Sequence, residues 1–416
     1  MKIPANNAVS VIQDGRNAWK IIEDITSSPN QEDAFFVMNL KDIVKQYEAW
    51  VNTLPNIKPY YAVKCNDSEI VLKVLSALGT NFDCASKGEI GKVLSLGVKP
   101  ERIIYANPVK QISHLRYAKS VGVNLMTFDS CSELYKIREY HPYAKLVLRI
   151  CADAADSQCP AMGLKFGIAP HMAHTLIKLA SSLNLDIIGV SFHVGSGCRE
   201  NQAYKRALDY AKDVYEQCRN YGFDIELIDI GGGFTKESFE NMSSSVLEGI
   251  CEHFPFFKGS FIAEPGRFFV TNAYTLATRI HSKRIDKSSH MYYINDGLYG
   301  SFNCLLFDKA EVLPIPLKKH SGPMHKSTIW GPTCDSLDLI TQNFPLPEMS
   351  LGDWIIFDNM GAYTITTSTN FNGFEQPKVH HFADKETWDL LKDIIPDIFT
   401  FETAPSWFKA NEKIIM

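Results

Sequence analysis

Residues 60–97 read YYAVKCNDSEIVLKVLSALGTNFDCASKGEIGKVLSLG. A short apolar run, 60–65, gives way to a stretch with apolar residues at helical spacing, 68–78. Gly79 closes that stretch, a second run follows at 81–86, and a second helical stretch at 87–96 ends on Gly97. A period that switches from strand-like to about 3.6 and back is the mark of consecutive βα units. Glycine just past a helix supplies the left-handed turn that ends it.

The same alternation extends from residue 59 to 266. Apolar runs recur at 60–65, 81–86, 102–107, 125–129, 145–150, 187–194, 227–233 and 261–264. Helical spacing lies between them, for example at 132–140, 174–183 and 202–221, and a further helix at 40–54 precedes the first run. Gly122 and Gly222 also fall at predicted helix ends. Strands alternating with helices imply parallel strands joined by crossovers. A count of eight favours a closed (β/α)8 TIM-like barrel over an open sheet, and no dinucleotide fingerprint opens the first unit.

After about residue 272 the texture changes. Residues 274–280, 291–295 and 354–367 are rich in β-branched and aromatic residues, prolines punctuate 314–347, and helical spacing returns only at 386–394. That pattern predicts a mainly antiparallel C-terminal β domain. The expected division is a barrel over 33–272, with 1–32 and 273–416 forming a β-sandwich or modified Greek-key domain.

Charge and composition exclude several classes. Forty-two basic residues against 47 acidic ones give a net charge of −5 with both signs interspersed, so no basic stripe marks a nucleic-acid surface. No apolar run reaches the roughly 18 residues of a membrane span, and residues 1–20 lack the apolar stretch of a secretory signal. The ten cysteines, at 65, 84, 131, 151, 159, 198, 218, 251, 304 and 334, include no Cys-x-x-Cys pair, so no metal site is predicted. A reduced, cytoplasmic protein is the simpler expectation.

In a barrel of this kind the chemistry sits at the C-terminal strand ends. Those ends carry Lys64, Asp83, Arg149, His193, the run Gly231-Gly232-Gly233, and Glu264. A lysine inside an apolar strand must find a partner or lose its charge, and a neutral amine suits Schiff-base chemistry. A snorkelling lysine is the plainer account. The glycine run after the seventh strand lets backbone N–H groups close around an anion, where barrels commonly hold phosphate, although a tight βα turn has the same composition. Glu264-Pro265-Gly266-Arg267 brings an acid to hold a pyridine nitrogen and a guanidinium to hold phosphate, or simply an internal ion pair. His193 could stack on a planar ring or be a satisfied core histidine, and Ser196 could add a phosphate donor. Cys334, in Gly331-Pro332-Thr333-Cys334-Asp335-Ser336-Leu337-Asp338, precedes charge in a Gly-Pro turn, a poor setting for an inert core thiol.

Residues 60–66, 82–86, 191–197, 231–234, 264–267, 331–338 and 361–364 together resemble the eukaryotic-type ornithine decarboxylases, of the alanine-racemase-like fold type III pyridoxal-phosphate decarboxylases. The resemblance runs in order from about residue 20 to the end. It implies that Lys64 carries pyridoxal 5'-phosphate through a Schiff base, with Asp83 beside it. It implies His193 stacked on the ring, Glu264 on the pyridine nitrogen and Arg149 on the hydroxyl side. Ser196, Gly233, Gly266, Arg267 and Tyr363 would hold the phosphate, and Pro265 completes the cofactor set. The partner subunit of a homodimer would supply Cys334 as proton donor and Asp335, which with Asp308 binds the distal ammonium of L-ornithine; Phe307 neighbours that ammonium. Lys165 and Asp338 would pair across the dimer. The implied product is putrescine, the first intermediate of polyamine biosynthesis.

The sequence departs from the family at Phe307, where tyrosine is frequent, at Thr235, where proline is common, and at Asp358, often glutamate. The long degradation tail of vertebrate members is not expected, although residues 110–138 could bind an antizyme-like regulator. The alternatives are a lysine, arginine or diaminopimelate decarboxylase of the same fold, a regulator without activity, and a racemase. Ornithine and lysine differ by one methylene, worth only ~1–3 kcal/mol in a pocket.

Overall fold

A computed structural model describes residues 9–152, 162–200, 202–286 and 289–395. Cys159 and the outermost parts of the predicted β domain (1–8 and 396–416) lie outside them. The chain divides into two compact units, one of them Gln46–Phe268.

That unit is a closed barrel of eight parallel strands: Ile57–Ala62, Asn81–Cys84, Ile103–Tyr105, Leu125–Phe128, Lys145–Arg149, Asp186–Ser191, Leu227–Asp229 and Ser260–Ala263. The eighth closes onto the first with Phe261 opposite Ile57. Tyr60, Ile104, Val147, Leu227 and Ile262 form a buried cluster within it. Each buried side chain of this size contributes roughly 1.5–3 kcal/mol.

The helices follow from local chemistry. Ser86 caps Lys87–Ser95 by accepting from the Glu89 amide at 3.3 Å, and Glu89 returns an acceptor to the Ala85 amide at 2.6 Å. This is close to a capping box. The helix Glu69–Leu78 stops at Gly79, whose φ of +103° is open to glycine at little cost. Thr235, the departure after the glycine run, accepts from the Ser238 amide at 3.2 Å just before the helix Phe239–His253.

In the second unit the sheet runs in the order Val9–Ile12, Lys378–Asp384, Phe35–Asn39, Tyr274–Ile285, His290–Ile294, Met324–Trp330, Leu339–Pro347, with Trp354–Phe357 attached to Tyr274–Ile285 and Ile315–Pro316 attached in turn to Trp354–Phe357. Its pairing is mostly antiparallel. Ile21, Ile22 and Ile25 of the helix Ala18–Thr26 pack with Phe35, Val37, Trp354 and Phe382 in its core. Asp358 accepts from the Thr275 hydroxyl at 3.0 Å within this unit.

Two features differ from the sequence expectation. Phe35–Asn39 falls inside the stretch 33–272 assigned to the barrel, yet it pairs with Tyr274–Ile285 and Lys378–Asp384 in the β unit. A continuous apolar run reads alike in either sheet, so periodicity could not separate them. Pro345 and Pro347, expected to break structure, sit in a strand, because Leu339–Pro347 lies at the end of the sheet and an edge tolerates a missing N–H.

Candidate active site

The first strand ends at Ala62, and the short turn Val63–Cys65 turns Lys64 out of the apolar run. Its Nζ lies 2.5 Å from Oδ2 of Asp83. Asp83 stands directly across from Ala62 on the second strand, with its side chain 1 % exposed. The lysine therefore meets its requirement for a partner by pairing. The other carboxylate oxygen of Asp83 is buried and accepts no hydrogen bond among the described residues.

Around that pair lie further charges held against the solvent's preference. Burial, then the negative charge of Asp229 and Asp83, drives the Glu264 carboxyl well above its ordinary range. Asp229 ends the seventh strand with no exposure, and burial pushes it up to about 7; the Gly231 amide, 2.9 Å from its Oδ1, draws it back. Two adjacent buried carboxyls cannot both ionise cheaply, so the Asp229 charge adds to burial in raising the Glu264 pKa. Among the described residues, Oε1 of Glu264 and Oδ2 of Asp229 have no hydrogen-bond partner.

His193 follows the sixth strand. The Gly195 amide donates to its Nδ1 at 2.9 Å, which leaves the proton of the neutral ring on Nε2. Burial, then the charges of Arg149 and Lys64, keeps this imidazole well below its usual range. It is thus a neutral, flat ring. Arg149 ends the fifth strand, nearly buried, with its guanidinium 5.3 Å from the Phe166 ring centre.

The glycines are required by packing. A Cβ on Gly231 would lie 2.2 Å from the Phe192 carbonyl, and one on Gly232 would lie 2.7 Å from the Glu264 carbonyl and 2.9 Å from His193 Nε2. On Gly266 it would meet the Cys65 Cβ at 2.8 Å. The Pro265 carbonyl accepts from the Ala62 amide at 3.1 Å, joining the last strand end to the first. Arg267 donates to Ser196 Oγ at 3.3 Å. The barrel therefore brings together Lys64, Asp83, Arg149, His193, Ser196, Gly233, Glu264, Pro265, Gly266 and Arg267 at the C-terminal strand ends.

The remaining predicted residues belong to other settings. Cys334 is exposed, with its amide donating to Asn372 Oδ1 at 3.0 Å. Asp335 accepts from the Tyr299 hydroxyl and, at 3.0 Å, from the Leu337 amide; the Tyr299 bond, then the backbone bond, lowers its carboxyl. Asp308 is buried beside the exposed Phe307. Asp338 is buried and accepts from the Leu298 amide at 2.6 Å, the Thr333 amide at 2.9 Å and the Thr333 hydroxyl at 2.6 Å. Tyr363 holds a positive φ of 55°. Lys165 is exposed at the end of the turn Met162–Lys165.

Sequence reasoning passed over Asp229 and Tyr299. Asp229 had a signal, a lone acid between Ile228 and Ile230 before the glycine run. Tyr299 had none, because its contact with Asp335 is 36 residues away.

Residues 40–271 match the profile of the pyridoxal binding domain of pyridoxal-dependent decarboxylases. The chain is 45 % identical to ornithine decarboxylase of Rattus norvegicus over 410 residues, covering 92 % of this chain and 88 % of that one. It is 44 % identical to antizyme inhibitor 2 of Xenopus laevis over 406 residues, covering 92 % and 89 %. The solved arginine decarboxylase of Paramecium bursaria Chlorella virus superposes with a TM-score of 0.85 at 37 % identity, covering 87 % of this chain and all of that one. The chain belongs to the pyridoxal-dependent decarboxylase family.

A family member must hold an anionic phosphate and a ring with a basic nitrogen, beside a lysine. The residues present fit that demand. Glu264 offers a buried, unpartnered carboxyl oxygen for a protonated ring nitrogen. The glycines leave no side chain between the strand ends and the backbone, and Arg267 with Ser196 supplies donors for an anion. A pyridoxal-dependent decarboxylase site is thus largely assembled within Gln46–Phe268.

Proposed function

We propose that this enzyme removes the carboxylate of L-ornithine as carbon dioxide and returns a proton to the same carbon, giving putrescine as the entry to polyamine biosynthesis. The observation that carries the decarboxylase part is the Lys64–Asp83 pair at 2.5 Å, at the same strand ends as the buried Glu264 and Asp229. Bound at Lys64 through a Schiff base, pyridoxal phosphate would act as an electron sink for the pair left when the carbon–carboxylate bond breaks. Glu264 would hold the ring nitrogen, His193 would lie against a ring face as a neutral imidazole, and Arg149 would meet the hydroxyl side. Asp83 would keep Lys64 aimed at the cofactor. Ser196, Gly233, Gly266, Arg267 and Tyr363 would take the phosphate.

Substrate choice is drawn from the β unit. Asp335, ionised and braced by Tyr299, together with Asp308, suits a distal ammonium better than a second carboxylate. Phe307 keeps the stem contact and lacks a hydroxyl.

We further propose a homodimer in which Cys334 of the partner subunit returns the proton and Asp335 of the partner subunit binds the substrate's far end. In support, Cys334, Phe307, Leu306 and Leu337 are all exposed on this unit. Exposed apolar side chains gathered with functional ones mark a surface that is covered in the working state. A carboxylate has about four acceptor positions, so Asp338 keeps one for Lys165 of the partner subunit. An exposed catalytic thiol requires reducing surroundings, which supports a cytoplasmic location. The relative named antizyme inhibitor supports an antizyme-like partner at residues 110–138.

Carbon dioxide release from L-ornithine, lysine and arginine, with and without pyridoxal phosphate, tests the proposal. Cofactor-dependent release fastest from ornithine, with putrescine formed, is expected. Preference for lysine or arginine would overturn the substrate, and no release from any of them would favour the regulator.

A further inference from the structure

The glycine run is braced from behind by aromatic side chains. Tyr204, the second residue of the helix Ala203–Asn220, has no exposure, and its hydroxyl donates to the Gly232 carbonyl at 2.9 Å. Its ring stacks on Phe234 with centres 4.9 Å apart and planes at 24°. Phe234 in turn meets Trp50 edge-on at 5.0 Å, and Trp50 is pinned by its indole N–H on the Ile57 carbonyl at 2.9 Å. The hydroxyl therefore sits at the end of a rigid stack. Burial raises its pKa far enough that it remains a donor throughout the working range.

What that donor holds is a peptide plane. In a trans peptide the carbonyl of one residue and the N–H of the next point in opposite directions. With the Gly232 oxygen drawn onto Tyr204, the Gly233 N–H must face away from the aromatic stack. That N–H has no acceptor among the described residues, while the Gly233 carbonyl accepts from the Cys198 amide at 3.1 Å. Glycine backbone is otherwise free to flip such a plane, so a lock is needed if the N–H is to wait for a ligand.

We propose that Tyr204 is a positioning residue for the phosphate of the cofactor: its hydroxyl fixes the Gly232–Gly233 peptide so that the Gly233 N–H is presented to that phosphate. The role stands on the cofactor assignment above. It predicts that Tyr204 governs affinity for the phosphate and leaves recognition of the ring and aldehyde alone.

The test uses Tyr204→Phe, which keeps the stacked ring and removes only the hydroxyl. Dissociation constants are measured for pyridoxal phosphate and for pyridoxal, which lacks the phosphate, on the cofactor-stripped full chain. Loss of one buried hydrogen bond should weaken pyridoxal phosphate about tenfold. Pyridoxal should bind as in the parent, and the 31P resonance of bound cofactor should shift. Phe234→Leu removes the stack but keeps the hydroxyl; it should lower the melting temperature and leave the ratio of the two constants nearly as in the parent. Equal weakening of both ligands by Tyr204→Phe, or no weakening of either, would overturn the role. If the parent protein bound neither ligand, the cofactor assignment itself would fail and the role with it.

Discussion

The two units hold their functional groups in opposite ways. In the barrel, Asp83, Asp229 and Glu264 are buried and Lys64 is already paired with Asp83 at 2.5 Å, so these groups are in place before any ligand arrives. In the β unit, Cys334 is exposed and Asp335 is fastened only from one side, by Tyr299 and a backbone amide. A preorganised site spends little reorganisation during reaction. The exposed Cys334 thiol and the half-buried Asp335 carboxylate have no such environment within the single chain. The contrast teaches that the barrel carries its functional groups preorganised, whereas on the proposed function the groups of the β unit would depend on assembly for their chemistry.

The hardest blow to the barrel side is Lys64→Ala. It removes the covalent anchor and leaves the buried Asp83 carboxylate without its cation. Decarboxylation should fall by about 10⁴-fold or more, and the yellow colour of the cofactor-loaded protein should vanish. Retained turnover would mean that the lysine only neutralises Asp83.

Cys334→Ala attacks the other side. Loss of a placed proton donor costs ~10²–10⁴-fold, while cofactor binding should stay as in the parent. Full putrescine formation would remove the thiol from the reaction. Mixing the two inactive variants sharpens the contrast directly. If sites are shared, exchange of subunits gives mixed dimers with one complete site of two, and about a quarter of parental activity should return. No return, with exchange confirmed, would place both groups within one chain.

Asp335→Asn should act more mildly. Its carboxylate is half-buried in the single chain, and replacing it should raise KM for ornithine by about tenfold or more while kcat changes less. An unchanged KM would move recognition of the distal ammonium to Asp308.

The barrel site was legible because several of its strands end in residues that a structural turn would not choose. Lys64, Asp83, His193 and Glu264 each break an apolar run, and a polar residue there has to be satisfied or used. Phe35–Asn39 was not legible, since pairing with Tyr274–Ile285 joins positions more than 230 residues apart and leaves no trace in local spacing. The same holds for Tyr204. Its value lies in one hydroxyl meeting one carbonyl 28 residues later, and a tyrosine at helical spacing reads as core. Asp229 was legible and was passed over, because the glycines beside it offered a more familiar explanation for the segment.

Asp229 leaves catalysis out of the readout and probes the barrel without any ligand. Its folded pKa of about 7 lies above the ordinary 3.8 because burial disfavours the charge. Below about pH 4 the acid is protonated in both the folded and unfolded chain, so it costs nothing. As pH rises from about 4 to about 7 the unfolded chain releases the proton and the folded one retains it, so stability falls across that window and stays reduced above it. At about 1.4 kcal/mol per pKa unit the ceiling on that loss is about 4 kcal/mol. Asp229→Asn can still accept from the Gly231 amide and has no charge to bury. Urea unfolding of the cofactor-free variant should therefore match the parent near pH 4 and exceed it at pH 8. Equal pH dependence in the two proteins would show that Asp229 is not strained, and the barrel's preorganised charge would then rest on the Lys64–Asp83 pair alone.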